Sequence, residues 1–286
     1  MTAIAVHPQD APVRRAPLPR LLRAELRMIL RRPRTLIGLT LLALVPIVAG
    51  IGITIATSNG DTSNGTEGLA AMVAGNGLVL PIFALAVGMT MLLPLTSAML
   101  AADALAGETA HGTLRGLLIA PVSRGRLLAV KAFGVATVIL LAVTLMAVTG
   151  TIAGVVLLGG DGMLTTSGST LPFVDGLGRV LLAVLYSAAQ MWALAAVALA
   201  VSAFTEHPLI VVVVTTGIVI VSGVLGAIPT LDAIHPVLIT TSWDAVGDVI
   251  SDPLTGDTMG QGLLRAACYL VIGYSIAYAR MLTRDG

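Results

Sequence analysis

Residues 36–56 read LIGLTLLALVPIVAGIGITIA, an apolar run of 21 residues without a single charged side chain. An α-helix rises about 1.5 Å per residue, so about 20 apolar residues cross the hydrocarbon core of a bilayer. The run is too long for the core of a signal peptide. It therefore predicts an uncleaved first transmembrane helix.

The composition of the whole chain agrees with a membrane protein. Apolar residues make up 56% of the sequence, charged residues only 11%, and the mean hydropathy is +0.97. A soluble chain of this length would carry about a quarter charged residues. The sole cysteine, Cys268, excludes an intramolecular disulfide.

Further apolar runs extend the prediction to six spans. Four of them meet the required length plainly, at 78–102, 132–157, 180–203 and 209–228. A sixth span, 262–282, is interrupted by Arg265 and Arg280, and it requires both side chains to extend outward to the interfaces. Pro46, Pro81 and Pro94 lie inside predicted spans, where they favour kinks. The fold class is an all-α integral membrane protein with six transmembrane helices in one domain, residues 34–284.

The basic residues fix the predicted orientation, because short loops rich in Lys and Arg stay in the cytoplasm. Fourteen of the 16 basic residues fall in the N-terminal segment, the loop between spans two and three, and the C-terminus. Both termini are therefore predicted to be cytoplasmic. The exterior loops carry nine acidic residues. We interpret them as a solvated face of the protein, and attraction of cations at the exit is the alternative. The loops 57–77 and 158–178 are rich in Gly, Ser and Thr, and they are typical of solvated connections.

The sequence offers no chemistry of its own, so we expect no catalytic, cofactor-binding or metal-binding residues. A P-loop needs a lysine followed by Ser or Thr, whereas the one lysine, Lys131, precedes Ala132. No ionisable residue lies near a span centre. The deepest polar side chains are candidates for a substrate path, although hydrogen bonding between helices is the favoured explanation: Tyr186, Gln190, Thr90 and Thr215.

Residues 18–33 predict an amphipathic helix after a disordered tail, residues 1–17. Its leucines and Ile29 recur at helical spacing, and arginines collect on the opposite side, at Arg20, Arg23, Arg27 and Arg31. Such a helix lies in the plane of the headgroups, with its arginines on anionic lipid. Simple topogenic charge is the alternative.

The loop 103–131 predicts a short cytoplasmic helix. Leu114, Leu117 and Leu118 form an apolar stripe that Pro121 must end. Ser123 is a candidate N-cap for the third span. A shaped helix between two spans suits docking to a soluble partner.

These residues resemble the coupling-helix signature of type-2 ABC (ABC-2) export permeases. The resemblance rests on Glu108, the run Gly112-Thr113-Leu114-Arg115, Leu117-Leu118, Pro121-Val122-Ser123-Arg124, and Lys131. It implies a half-transporter that pairs with a second permease, identical or related, and with two copies of an ABC ATPase subunit. ATP and magnesium would be bound by that ATPase, and we expect membrane lipid but no nucleic acid as a further partner. The residues expected to shape the ATPase-coupling helix are Glu108, Gly112, Thr113, Leu114, Arg115, Leu118, Pro121, Ser123 and Arg124. Solvated loop charge is the alternative for Glu108 and Arg115.

The uncharged spans favour a hydrophobic or amphipathic substrate, such as a drug, antibiotic or lipid. We expect its export across the cell membrane, which is predicted to be a bacterial inner membrane. Polysaccharide, sodium, copper-related and haem cargo are the alternative substrates within the family that the sequence resembles. An energy-independent scaffold or channel is the alternative from another class.

The exterior segment 229–262 is too apolar for a plain loop, and it predicts a re-entrant or interfacial element. We expect Ser242 to cap a helix whose apolar side is Trp243, Val246 and Ile250, while Asp244 and Asp248 face water. Trp243 would then anchor that helix at the membrane interface.

Overall fold

The computed structural model describes residues 17–58, 72–73, 75–110, 123–160, 162–254 and 256–283. Helices dominate these ranges. They are α1 (Leu18–Leu30), α2 (Pro33–Ser58), α3 (Leu80–Thr90), α4 (Leu92–Ala104), α5 (Ala106–Ala110), α6 (Arg124–Leu158), α7 (Phe173–Phe204), α8 (Pro208–Gly226) and α9 (Gly256–Thr283).

Five of these helices, α2, α6, α7, α8 and α9, are each long and apolar enough to cross a bilayer. Helices α3 and α4 form a bent pair, which makes a sixth span when it is counted as one broken span. The predicted all-α integral membrane fold is confirmed. The helices exceed the predicted apolar runs at most ends, because polar residues continue the helix beyond the hydrocarbon core. The last span is the clearest case, since α9 begins at Gly256 rather than near residue 262.

The second span bends by 57° between α3 and α4. The bend lies at Met91, whose backbone leaves helical geometry with φ −148° and ψ −49°. Pro94 explains this position, because it has no N–H to donate to the carbonyl of Thr90, four residues earlier. Pro46, by contrast, lies inside the continuous helix α2, and Pro81 occupies the first turn of α3, where proline is tolerated.

Helix α7 forms the centre of the bundle. Its buried residues are mostly small, and they let neighbouring helices approach closely. A Cβ added at Gly273 of α9 would lie 2.6 Å from the carbonyl carbon of Ala196 on α7. Similarly, a Cβ at Gly154 of α6 would lie 1.9 Å from the backbone oxygen of Gly77. Helices α2, α8 and α9 lie at the periphery, and they direct large apolar side chains outward to lipid.

The connection between α6 and α7 departs from the predicted solvated loop. A two-stranded antiparallel hairpin, β1 (Met163–Leu164) and β2 (Thr170–Leu171), forms there. Met163 is fully buried, and the carbonyl of Leu164 accepts a hydrogen bond of 3.2 Å from the buried Asn76 amide. The short strands therefore cover the end of the bundle.

The segment between α8 and α9 contains the 3-10 helices Pro229–Leu231, His235–Val237 and Asp244–Ile250. The predicted cap at Ser242 is wrong: Trp243 holds the N-cap position, and the Ser242 hydroxyl accepts a hydrogen bond from Arg265. The predicted membrane anchor is also wrong, because Trp243 is buried inside the protein. The 3-10 helix Asp244–Ile250 folds back onto the bundle, so Val246, Val249 and Ile250 are buried in protein, whereas Val237 earlier in the segment is exposed.

Candidate functional site

Four helices meet at one end of the bundle, beside both ends of the loop 111–122. They are α1, the end of α4 with the short α5, and the first two turns of α6. Helix α6 has 35 residues and therefore a length of about 52 Å, which exceeds the hydrocarbon core of about 30 Å. Part of the helix therefore extends beyond the hydrocarbon core, and the predicted span 132–157 assigns its first turns to the side predicted to be cytoplasmic.

Lys131 of α6 lies at the centre of this junction with only 2% of its surface exposed. Its ammonium group donates hydrogen bonds of 3.0 and 2.9 Å to the two carboxylate oxygens of Glu25 on α1. It also binds the carboxylate of Glu108 on α5. Both glutamates are buried as well. One cation therefore joins three helices, and two of them flank the 111–122 loop.

The carboxyl group of Glu108 has a pKa raised above its usual value of 4.5. Burial is the main cause, because removal from water disfavours the charged form. The charge of Glu25 raises the pKa further, whereas the bond to Lys131 lowers it.

A second ion pair lies beside the first. Asp103 at the end of α4 accepts a hydrogen bond of 2.9 Å from Arg34 at the start of α2, and Arg32 lies 3.5 Å from its other oxygen. We call the set Glu25, Asp103, Glu108, Arg32, Arg34 and Lys131 the charge cluster. Its three acidic side chains and Lys131 are buried, Arg34 is exposed and Arg32 half-buried, and the three basic side chains balance the three acidic ones.

Two further contacts connect the loop ends to the later spans. The buried Ser202 hydroxyl, near the end of α7, accepts a hydrogen bond of 3.0 Å from the backbone N–H of Ala106, where α5 begins. Arg124, the first residue of α6, donates hydrogen bonds of 2.9 Å to the carbonyls of Met281 and Leu282 at the end of α9. A cation at a helix C-terminus satisfies orphan carbonyls and complements the helix dipole.

A half-open cavity of about 730 Å³ borders the charge cluster. Its walls combine apolar side chains of α1 and α6, such as Met28 and Val130, with the charged side chains of the cluster. The cavity is therefore amphipathic, and it opens next to both ends of the loop. A motion of the loop ends would change its shape.

A family model described as "ABC-2 family transporter protein" matches residues 20–242, from α1 through the exterior segment. The chain belongs to the ABC-2 family of transporter proteins. As an ABC-2 protein it is a multi-pass membrane permease of an ABC transporter, and the family implies association with an ABC ATPase subunit. No curated protein matches the sequence at a significant level.

The predicted coupling residues of this ABC-2 permease fall into two groups. Those of the loop itself lie outside the described residues: Gly112, Thr113, Leu114, Arg115, Leu118 and Pro121. Glu108, Ser123 and Arg124 are described. Ser123 occupies the predicted N-cap position of α6, although its side chain makes no cap hydrogen bond to the described helix.

The four candidate path residues contact different elements. Tyr186 donates a hydrogen bond of 2.5 Å to the carbonyl of Ser242, and Gln190 donates one of 3.1 Å to the carbonyl of Gly262. Both side chains thus join α7 to α9 and the exterior segment. Thr90 is exposed at the bend of the second span, and Thr215 is buried on the inner face of α8.

Helix α1 shows the predicted amphipathic pattern, with exposed arginines opposite an inward face: Arg20, Arg23, Arg27 and Arg31. The inward face packs on α6 rather than only on lipid. A Cβ at Gly134 of α6 would lie 2.9 Å from side-chain atoms of both Glu25 and Ile29, so glycine allows the close approach.

Sequence reasoning missed Glu25, Asp103 and Ser202. Glu25 carried a usable signal, because it is the one acidic residue in the α1 sequence and it occupies the apolar side of that helix. An acid on an apolar face indicates a buried cationic partner. Asp103 and Ser202 gave no comparable signal, since polar residues at span ends are usually solvated.

Proposed function

We propose that this ABC-2 permease is the membrane-spanning subunit of an ATP-driven exporter and receives the motion of a separate ATPase through the loop 111–122. A single observation carries the proposal: both ends of that loop are tied to the bundle by buried charge. Glu108 lies just before the loop, and Lys131 lies in the second turn of the helix after it.

The charge cluster supplies a rigid connection between the loop and the spans. Movement of α5 displaces Glu108 and hence Lys131, which in turn holds Glu25 on α1. Ser202 and Arg124 extend the connection to α7 and α9. Buried ion pairs suit this role, because separating them in a poorly solvated site is costly and helices joined by them move together.

The proposed cycle follows from these contacts. ATP binding closes the ATPase dimer, the loop follows the ATPase surface, and the charge cluster passes the displacement to α1, α6 and the second span. The 57° bend at Met91 gives the second span a point at which to change angle. Two copies of the permease, identical or related, would enclose the path.

A hydrophobic or amphipathic substrate, such as a drug, antibiotic or lipid, fits the apolar spans best. The outward faces of the peripheral helices offer apolar surface, and an ion relay would need charged groups at membrane depth. We place the protein in the cell membrane of a bacterium, with the charge cluster facing the cytoplasm, because fourteen of the 16 basic residues lie on that side.

Co-purification tests the partner. The permease, isolated from its native membrane in mild detergent, should bring with it a subunit that carries a P-loop and hydrolyses ATP. A preparation that lacks any ATPase and shows no ATP-dependent transport in proteoliposomes would favour the energy-independent scaffold or channel instead.

Joint replacement of Glu108 and Arg115 by Ala tests the loop. We expect ATP-dependent transport to fall by about tenfold or more, as loss of a buried ion pair disconnects the loop from α6. The matched control is Arg27→Ala on the exposed side of α1, which removes charge without touching the cluster. Unchanged transport in the double variant would exclude the coupling role.

A further inference from the structure

A groove of about 480 Å³ lies between α9 and the exterior segment, at the opposite end of the bundle from the charge cluster. Its apolar wall includes Leu264 and Ile272 on α9 and Val237 on the segment. These three side chains are 68%, 55% and 68% exposed, respectively. The groove faces outward, where the membrane surrounds the protein.

Arg265 forms the polar wall of this groove. Its guanidinium donates a hydrogen bond of 2.7 Å to the carbonyl of Pro236 and another to the Ser242 hydroxyl. Both acceptors are neutral. Among the described residues, the ion pairs do not include Arg265. Within 4.0 Å, this half-buried cation beside an apolar surface therefore pairs with no carboxylate of the described residues, which favours an anion from outside the chain.

The direction of the groove matches the shape of a phospholipid. Arg265 lies nine residues from the start of α9 at Gly256, about 14 Å along the helix. Cys268 and Ile272 follow on the same side of α9, about 5 and 10 Å further from that end. With this end exterior, an anionic headgroup at Arg265 would place an acyl chain along Leu264, Cys268 and Ile272.

From this geometry we infer that the groove binds an anionic glycerophospholipid of the outer leaflet, with its phosphate on Arg265 and one acyl chain against α9. The inference does not depend on the pairing with an ATPase. Binding would also fix the exterior segment, since Arg265 and Tyr269, which donates to the carbonyl of Val237, both join that segment to α9.

Cys268 lines the groove, and it is the sole cysteine of the sequence. Its alkylation by N-ethylmaleimide therefore reports occupancy directly. The test compares the alkylation rate of Cys268 in the full chain between nanodiscs of pure phosphatidylcholine and nanodiscs that contain phosphatidylglycerol. Bound phosphatidylglycerol should slow the reaction by about fivefold, the scale of one charge-assisted contact.

Arg265→Gln should reduce this slowing to less than about twofold. Arg280→Gln, a matched loss of charge at the other end of α9, where the guanidinium stacks on Phe204, should preserve it. The negative surface potential of phosphatidylglycerol acts on Cys268 in every variant, so the comparison between variants isolates the contribution of Arg265.

Native mass spectrometry gives a second readout that does not depend on thiol reactivity. The indole of Cys268→Trp fills the groove and leaves Arg265 in place. The wild-type protein should therefore retain one more bound phosphatidylglycerol molecule than this variant. Equal alkylation in both lipids, equal slowing in the Arg265 variant, or equal lipid retention by the Cys268 variant would each overturn the inference. Protection that rises with protein concentration instead of phosphatidylglycerol content would assign the groove to a second copy of the chain.

Discussion

Lys131 and Glu108 should differ sharply in their contributions to stability, although they belong to the same ion pair. Lys131→Met leaves the carboxylates of Glu25 and Glu108 buried around a missing cation. Removing one partner of a buried ion pair costs about 3–5 kcal/mol, because the remaining charge stays uncompensated. We expect a loss in this range for Lys131→Met at neutral pH.

Glu108→Gln should cost no more than about 1.5 kcal/mol, the scale of one net hydrogen bond. Lys131 keeps both bonds to Glu25, at 2.9 and 3.0 Å. Burial raises the pKa of Glu108, and Lys131 keeps Glu25 as its counter-charge, so the substitution leaves no buried charge unpaired. A neutral amide of the same shape replaces it at low cost.

The pH dependence follows from the same raised pKa. A carboxyl group whose pKa is higher in the folded state binds its proton more tightly there, so its contribution to stability is full below the unfolded pKa. That contribution is lost as pH rises through the folded value. The contribution of Glu108 to wild-type stability should therefore decline as pH increases above about 4.5, its reference value, and the stability difference between wild type and Glu108→Gln should show this pH dependence.

Reversible unfolding in mixed micelles of a mild detergent and sodium dodecyl sulfate measures these free energies. The control is the triple variant Glu25→Gln, Glu108→Gln and Lys131→Met, which removes all three charges and should recover part of the stability lost in Lys131→Met. A Lys131→Met variant no less stable than Glu108→Gln would refute the assignment of one buried cation to two carboxylates.

Two further predictions concern the packing and the bend of the spans. Gly154→Ala should destabilise the protein by about 2 kcal/mol or more, because its Cβ would meet backbone, whereas a Cβ at Gly38 of α2 meets nothing within 4 Å, so Gly38→Ala should not destabilise the protein. The same unfolding assay compares the two variants, and the reverse order would contradict the packing. Pro94→Ala should straighten the second span, since Ala supplies the missing N–H. Spin labels at the exposed Val87 and Met99 should then move apart by a few ångströms in pulsed electron resonance, and an unchanged distance would assign the bend to packing instead of proline.

The fold could be predicted from sequence because each span is encoded locally. An apolar run of about 20 residues has few alternatives to a transmembrane helix, and Pro94 marks the bend. The ends were harder to place, as α6 continues for eight residues before the predicted start at residue 132. Helix extension outside the hydrocarbon core depends on partners such as Arg124 with α9, and hydropathy does not report them.

The charge cluster depends on contacts between distant parts of the chain. Glu25 and Lys131 are 106 positions apart, and only the packing of α1 on Gly134 brings them together. Ser242, at the opposite end of the bundle, also shows that local sequence does not report contacts between distant residues. Its local sequence is typical of an N-cap, but its hydroxyl accepts a hydrogen bond from Arg265, and the neighbouring Trp243 is buried. Local patterns predicted the elements, whereas long-range pairing decided which side chains meet.

Charge exchange within the cluster tests the central claim most directly. The measurement is ATP-dependent transport per ATP hydrolysed, in proteoliposomes that contain the permease with its ATPase. Lys131→Glu alone should lower this ratio by about tenfold or more, because three buried carboxylates then repel one another at the junction. Combining it with Glu25→Lys restores one cation between two carboxylates, and it should recover at least about half of the wild-type ratio. Normal coupling in the single variant, or no recovery in the double variant, would contradict transmission through the charge cluster.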